Sequence, residues 1–222
     1  MILVNYKVYE ESFGEGAIRL AWVCKKVMEA SGVMIFPVVT PFDAYRIKEE
    51  VGIEVMIQTV DGDMSGAQTG AISTKQAKRV GVFGSLINHS ERRLPPGTIK
   101  SLLRNWPDNF VSVVCIQTLG QSERWAKNIK PDYIAYEPTE LIGNKTKSVA
   151  TEKPEVIEKI VKKYKNVPVL VGAGIHSKED VEMSVKCGAR GILVASDVVK
   201  AKDPEKELSE LASGFGVIIE NK

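Results

Sequence analysis

A carboxylate, an imidazole and an ammonium stand at three distant points of this chain, each after a short apolar run. Glu137 ends the run Tyr133-Ile134-Ala135-Tyr136, and Pro138 follows at once. Proline cannot donate to a strand ladder, so the strand is predicted to stop there with Glu137 at its carboxyl end. His89 lies in Asn88-His89-Ser90-Glu91-Arg92-Arg93, shortly after Phe83-Gly84; Lys7 and Asn5 follow Ile2-Leu3-Val4. Such a carboxylate can remove a proton from carbon, the imidazole can polarise a carbonyl or shuttle a proton, and the ammonium can neutralise negative charge. Two further segments, Gly172-Ala173-Gly174 and Ala195-Ser196, offer small residues that let backbone N–H groups approach a phosphate closely. Each piece has a plainer reading: a solvated loop carboxylate, a polar helix entry, a tight turn. Their conjunction favours one site. His176, just beyond the second glycine, is expected on the surface.

The elements that would position these groups repeat regularly. Apolar strand-like runs occupy residues 2–4, 33–39, 55–57, 81–84, 111–116, 133–136, 168–171 and 191–194. Helical stretches follow at residues 16–28, 41–50, a brief piece ending near 78, then 96–106, 121–128, 153–164, 178–186 and 204–212. Eight βα units of roughly 25 residues each predict an α/β fold, a (β/α)8 TIM barrel, with residues 1–222 forming a single domain. An open doubly wound sheet is the weaker alternative, because eight units would make it unusually wide and no GxGxxG follows the first strand. In the barrel, the carboxyl ends of the strands share one rim, which would gather the residues named above.

A hydrophobic fraction of 44% is enough for a sizeable core, and a formal net charge of +2 argues against nucleic acid or a membrane surface as partner. No apolar run approaches membrane-spanning length, and residues 1–4 are too short for a signal sequence. Cys24, Cys115 and Cys187 are odd in number, scattered and set in apolar contexts, so reduced core thiols are expected. Neither a CxxC pair nor a zinc spacing occurs. A cytoplasmic protein without a metal is expected.

In order along the chain, Asn5-Tyr6-Lys7, His89-Ser90-Glu91-Arg92 and Tyr136-Glu137-Pro138 with Ile142-Gly143 resemble the motifs of the triosephosphate isomerase family, in its short archaeal type. The resemblance implies interconversion of dihydroxyacetone phosphate and D-glyceraldehyde 3-phosphate through an enediolate, in glycolysis and gluconeogenesis, without a cofactor. By that likeness Glu137 is the proton acceptor, His89 a neutral electrophile, and Lys7 a catalytic cation that holds the substrate with Asn5. Ile142, Gly143, Gly174, Ala195 and Ser196 would surround the phosphate. Residues 140–147 would act as a lid, Ser90 would contact Glu137 when that lid is open, and Glu91 would lie near Lys7. If Ser90-Glu91 opens a helix, the positive end of its dipole would keep His89 uncharged.

The chain departs from the family pattern in places. Glu140 stands where the common lid has Trp, and Gly172-Ala173-Gly174 replaces Gly-Gly-Ser. Gln68-Thr69-Gly70 resembles the loop that reaches into a neighbouring subunit, implying a homo-oligomer, a tetramer before a dimer. Ala71 replaces the acidic residue that would pair across the interface with Arg92, so that link is expected to be missing. Another phosphosugar isomerase, or a silent phosphometabolite-binding barrel, is the alternative; the latter is disfavoured by the presence of both Glu137 and His89.

Overall fold

The strands of this chain are apolar at nearly every position, as expected where one face packs inside a barrel and the other against helices. A computed structural model of the protein describes residues 1–121, 130–138 and 148–216. Its strands are β1 (Ile2–Asn5), β2 (Ile35–Val39), β3 (Met56–Ile57), β4 (Gly84–Ile87), β5 (Val111–Ile116), β6 (Tyr133–Tyr136), β7 (Val169–Val171) and β8 (Gly191–Val194). They close into one all-parallel barrel in chain order, with β8 pairing back onto β1. The described helices around it are α1 (Glu15–Ser31), α2 (Pro41–Val51), α3 (Thr74–Arg79), α4 (Pro96–Arg104), α5 (Val149–Glu152), α6 (Pro154–Lys163), α7 (Lys178–Lys186), α8 (Ser196–Val199) and α9 (Pro204–Ser213). Four of them start on proline, whose missing N–H would be unsatisfied in a first turn anyway.

Period-two alternation divides the apolar residues into two shells. Leu3, Val38, Leu86, Cys115, Ala135, Leu170 and Leu193 belong to an inner cluster that fills the barrel. Their neighbours, such as Ile2, Val4, Ile87, Ile134 and Ile192, join the outer layer against the helices. The inner end is closed off by Phe36 and Phe83, whose ring centroids lie 4.8 Å apart, packed against that cluster. Counting two residues onward from inward-facing Leu3, Leu86, Ala135, Leu170 and Leu193 gives Asn5, Asn88, Glu137, Gly172 and Ala195. The same alternation that builds the apolar core therefore delivers polar and small residues to its mouth.

The structure differs from expectation at β4, which runs Gly84–Ile87 rather than over residues 81–84. Gly81, at φ +79°, belongs to the turn after α3. Gly84 is where the strand is squeezed between neighbours: a Cβ there would meet the Val111 carbonyl at 2.6 Å and the Met56 side chain at 2.9 Å. The shift carries Asn88 and His89 to the strand tip itself. Ser90-Glu91 forms a turn, closed by Arg92 N–H donating to His89 O at 2.9 Å, and α4 starts only at Pro96. The expected helix at 121–128 (apart from Gln121) and the expected lid at 140–147 lie outside the described residues. Cys24, Cys115 and Cys187 are free and buried.

Candidate active site

The ladder keeps hold of Glu137 after β6 has ended: its backbone N–H donates to Ile116 O at 2.8 Å. The side chain is 3% exposed. Oε1 lies 3.2 Å from His89 Nε2, and Oε2 is buried with no hydrogen-bond partner among the described residues. Gly172 makes room for this side chain. The Gly172 N–H continues the β6–β7 ladder to Tyr136 O (2.9 Å), and a Cβ there would stand 2.8 Å from Glu137 Cγ. Cys115, at the end of β5, has its thiol pushed well above the usual value by burial first, and then by the Glu137 carboxylate.

His89 follows Asn88, a residue in the left-handed region at φ +62°. Asparagine tolerates that conformation better than most residues. Its side chain also ties the loop down, with Nδ2 donating to Cys115 O and Oδ1 accepting from Leu94 N–H, both at 2.9 Å. The Glu91 backbone N–H then donates to His89 Nδ1 at 3.2 Å. Nε2 faces Glu137. Ser90-Glu91 forms a turn rather than opening a helix, so a single peptide N–H, and not a helix end, faces Nδ1.

Asn5 and Lys7 are pinned alongside. Asn5 Oδ1 accepts from Lys7 N–H (3.1 Å), and Asn5 Nδ2 lies 3.4 Å from His89 Nε2. Lys7 is left-handed at φ +49°, with its carbonyl held by Gln58 Nε2 at 2.8 Å. Its ammonium rests 2.7 Å from Glu91 Oε1, as the resemblance implied. Ser90 Oγ is buried without a partner, so the Ser90–Glu137 contact implied for an open lid is absent while Glu137 engages His89. Arg92 approaches Asp61 of its own chain at 3.4 Å.

Asn5, Lys7, His89 and Glu137 share one cavity of about 840 Å³ with Gly172, Ala173, Gly174, Ala195 and Ser196. The polar groups from β1, β4 and β6 thus face small residues from β7 and β8. Ile142 and Gly143 lie outside the described residues. His176, expected on the surface, instead lines this cavity with its side chain 24% exposed. Its Nδ1 lies 2.8 Å from Asp197 Oδ2, and its backbone N–H donates to Asp180 Oδ2 at 3.0 Å. Those two carboxylates turn it inward. Among the described residues no three His, Cys, Asp or Glu side chains converge to hold a metal ion, and no helix is long and apolar enough to cross a membrane.

Comparison with known proteins bears on this geometry directly. The family model described as Triosephosphate isomerase matches residues 1–219. The chain belongs to the triosephosphate isomerase family. Among its relatives, the triosephosphate isomerase of Methanothermus fervidus is 40% identical over 216 residues, covering 95% of this chain and 96% of that one. Those of Methanosarcina mazei and Methanocaldococcus jannaschii are each 39% identical, covering 95% of this chain and 96% and 98% of theirs.

Within this triosephosphate isomerase barrel, three residues that position the site escaped the reading of the sequence. Gln58 has no motif of its own; the one available signal was a polar side chain directly after β3. Asn88 could have been found as an asparagine at a strand-to-turn junction, where left-handed backbone is common. Gly172 was noted as a small residue beside an anion, whereas what it accommodates is the Glu137 side chain.

Proposed function

We propose that the chain interconverts dihydroxyacetone phosphate and D-glyceraldehyde 3-phosphate by proton transfer. Glu137 removes a proton from the carbon next to the carbonyl, giving an enediolate. His89 stabilises the developing charge, gives a proton to the former carbonyl oxygen and takes the hydroxyl proton from the neighbouring oxygen, so that the negative charge passes from one oxygen to the other. Glu137 then returns the proton to the neighbouring carbon, which completes the exchange of aldehyde and ketone with atoms and charge balanced. Lys7 and Asn5 hold the substrate, with the ammonium offsetting its negative charge. Gly174, Ala195 and Ser196 receive the phosphate through backbone N–H groups. No step calls for a metal or cofactor. The reaction would serve glycolysis and gluconeogenesis in the cytoplasm.

The observation that carries this reading is the approach of Glu137 Oε1 to His89 Nε2 at 3.2 Å in the mouth of the barrel, with Lys7 beside them. A buried carboxylate in hydrogen-bond reach of an imidazole is the acid–base pair that an enediolate requires. The test is a coupled isomerase assay in both directions, run in deuterated water. Isomerisation with solvent deuterium appearing at the exchanged carbon is the expected result. Turnover without solvent exchange would argue for hydride transfer and against Glu137 as a base.

We also infer a homo-oligomer, with a tetramer the expected size. Exposed apolar side chains occur on two neighbouring segments, Val8 and Phe13 before α1 and Phe42 and Tyr45 at the start of α2. The segments are joined by Gly14 N–H donating to Asp43 Oδ1 at 3.0 Å. Phe42 is 93% exposed, an unusual position for a phenylalanine in a lone subunit. Light scattering of the wild type and of Phe42→Asp with Tyr45→Asp tests it. A fully active wild-type monomer would reject the inference.

A further inference from the structure

The small-residue half of the cavity carries a charge problem that the proposed reaction does not address. Asp197 is the residue after Ser196, so a carboxylate stands beside the backbone assigned to the phosphate dianion. It is not the only acid nearby. Glu207 and Glu210 of α9 line the same cavity, and the Glu207 carboxyl is pushed up by burial first, then by Glu210 and Asp197. Lys206 and His176 act on Glu207 in the opposite sense. Lys200, Lys202 and Lys206 line the cavity as well, so it is the placement of Asp197, directly after Ser196, that would repel a phosphate if nothing held it.

His176 is placed to hold that carboxylate. It belongs to the turn between β7 and α7, two residues past Gly174, and reaches across to α8, where its Nδ1 meets Asp197 Oδ2 at 2.8 Å. The turn is fixed independently, by His176 N–H and Ser177 Oγ both donating to Asp180 Oδ2. With Nδ1 committed to Asp197, Nε2 is buried and has no partner among the described residues. The bond therefore joins the two segments, after β7 and after β8, that supply the small residues of the cavity.

We propose that His176 is a positioning residue for the substrate phosphate: its Nδ1 engages the Asp197 carboxylate and holds that negative charge away from the backbone that receives the phosphate. This rests on the reading that Gly174, Ala195 and Ser196 receive the phosphate. His176 touches no reacting atom, so its effect falls on substrate capture and leaves the proton transfers alone.

The experiment is a double-mutant cycle of His176→Asn, Asp197→Asn and both together, with kcat, KM and the inhibition constant of inorganic phosphate measured for each. His176→Asn, which leaves a bare carboxylate, is expected to raise KM and the phosphate constant about 5–10-fold, roughly 1–1.4 kcal/mol. Its kcat should stay within about twofold of wild type. The double variant should recover to within about twofold of wild type, because removing the acid removes the charge that His176 has to hold. Unchanged constants in His176→Asn, or a double variant no better than it, would overturn the proposal; the latter would reveal a merely structural tie. Thermal unfolding checks each protein, and His176→Gln replaces any His176→Asn that fails to fold. A wild type that binds phosphate in calorimetry yet does not isomerise would refute the proposed reaction instead, and the phosphate constants would still decide the role of His176.

Discussion

The two halves of the cavity are built on different principles. On the side of β1, β4 and β6, side chains act and other groups hold them: Asn5 grips Lys7, the Glu91 N–H engages the His89 ring, and Asn88 ties its loop to β5. On the side of β7 and β8, the absence of side chains is what matters, since Gly172, Gly174 and Ala195 leave room, and charge is managed further out by His176 and Asp197. Proton transfer needs fixed atoms at fixed distances, whereas a phosphate with several equivalent oxygens accepts a looser cradle of N–H groups. The comparison teaches that substitutions in the first half should cost kcat and those in the second KM.

The largest expected effect belongs to the first half. Glu137→Ala should lose most of kcat, on the order of 10²–10⁴-fold or more, because a positioned base commonly supplies that much. Near wild-type turnover would remove Glu137 from the mechanism. A sharper cut runs along the boundary. Gly172→Ala lies in the second half, yet its Cβ would press on Glu137 Cγ at 2.8 Å. It is expected to lower kcat by about 10²-fold through displacement of the base while KM changes little. If KM rises instead, Gly172 serves the phosphate and the division is drawn in the wrong place.

Gln58→Leu tests the support beneath the first half. It removes the donor to Lys7 O and leaves a left-handed lysine with an unpaired carbonyl. A loss of about 1 kcal/mol, roughly fivefold in kcat/KM, is expected from steady-state kinetics. The smallest effect concerns the core common to both halves. Tyr6 and Cys24 are buried against each other, and burial raises the Cys24 thiol to about 12. Cys115 and Cys187 are raised too, and burial lifts Tyr6 well above 10.0. These folded-state groups keep protons that the unfolded chain gives up, so their contribution to stability should be constant below the ordinary thiol value of 9.0 and fall above it, through about 12 for Cys24. A melting temperature that rises between pH 9 and pH 10 would contradict this sign.

The same contrast explains how much could be read from the sequence. The barrel was legible because its strands are buried on both faces and so appear as short apolar runs, and Glu137 because a proline marks where its strand must end. β4 was misplaced for a specific reason. Val82 and Phe83 are apolar but precede the strand, while Ser85 interrupts it with a buried hydroxyl that bonds to the adjacent Leu86 carbonyl. His89 was legible by type and position, whereas the Glu91 N–H that holds its ring was not, since a peptide N–H carries no signature in the residue that bears it. Gln58 and the His176–Asp197 pair become meaningful only when distant segments meet. Separations of 51 and 21 residues hide both from any local pattern.

The seam between β1 and β8 has a consequence for how the chain is made. Ile2, Leu3 and Val4 pair with Ile192, Leu193 and Val194, and Ile192 N–H reaches the Met1 carbonyl at 3.0 Å. That approach is possible because Gly191 has no side chain to strike the same carbonyl. Every other neighbouring pair joins strands consecutive in the chain, whereas this one joins the first to the last and cannot form before all eight have been made. Until then the nascent sheet carries two open edges, each able to pair with another chain. The step that closes the barrel also removes that hazard, and it depends on the most sequence-distant strand pairing in the fold, the kind of contact that slows folding most.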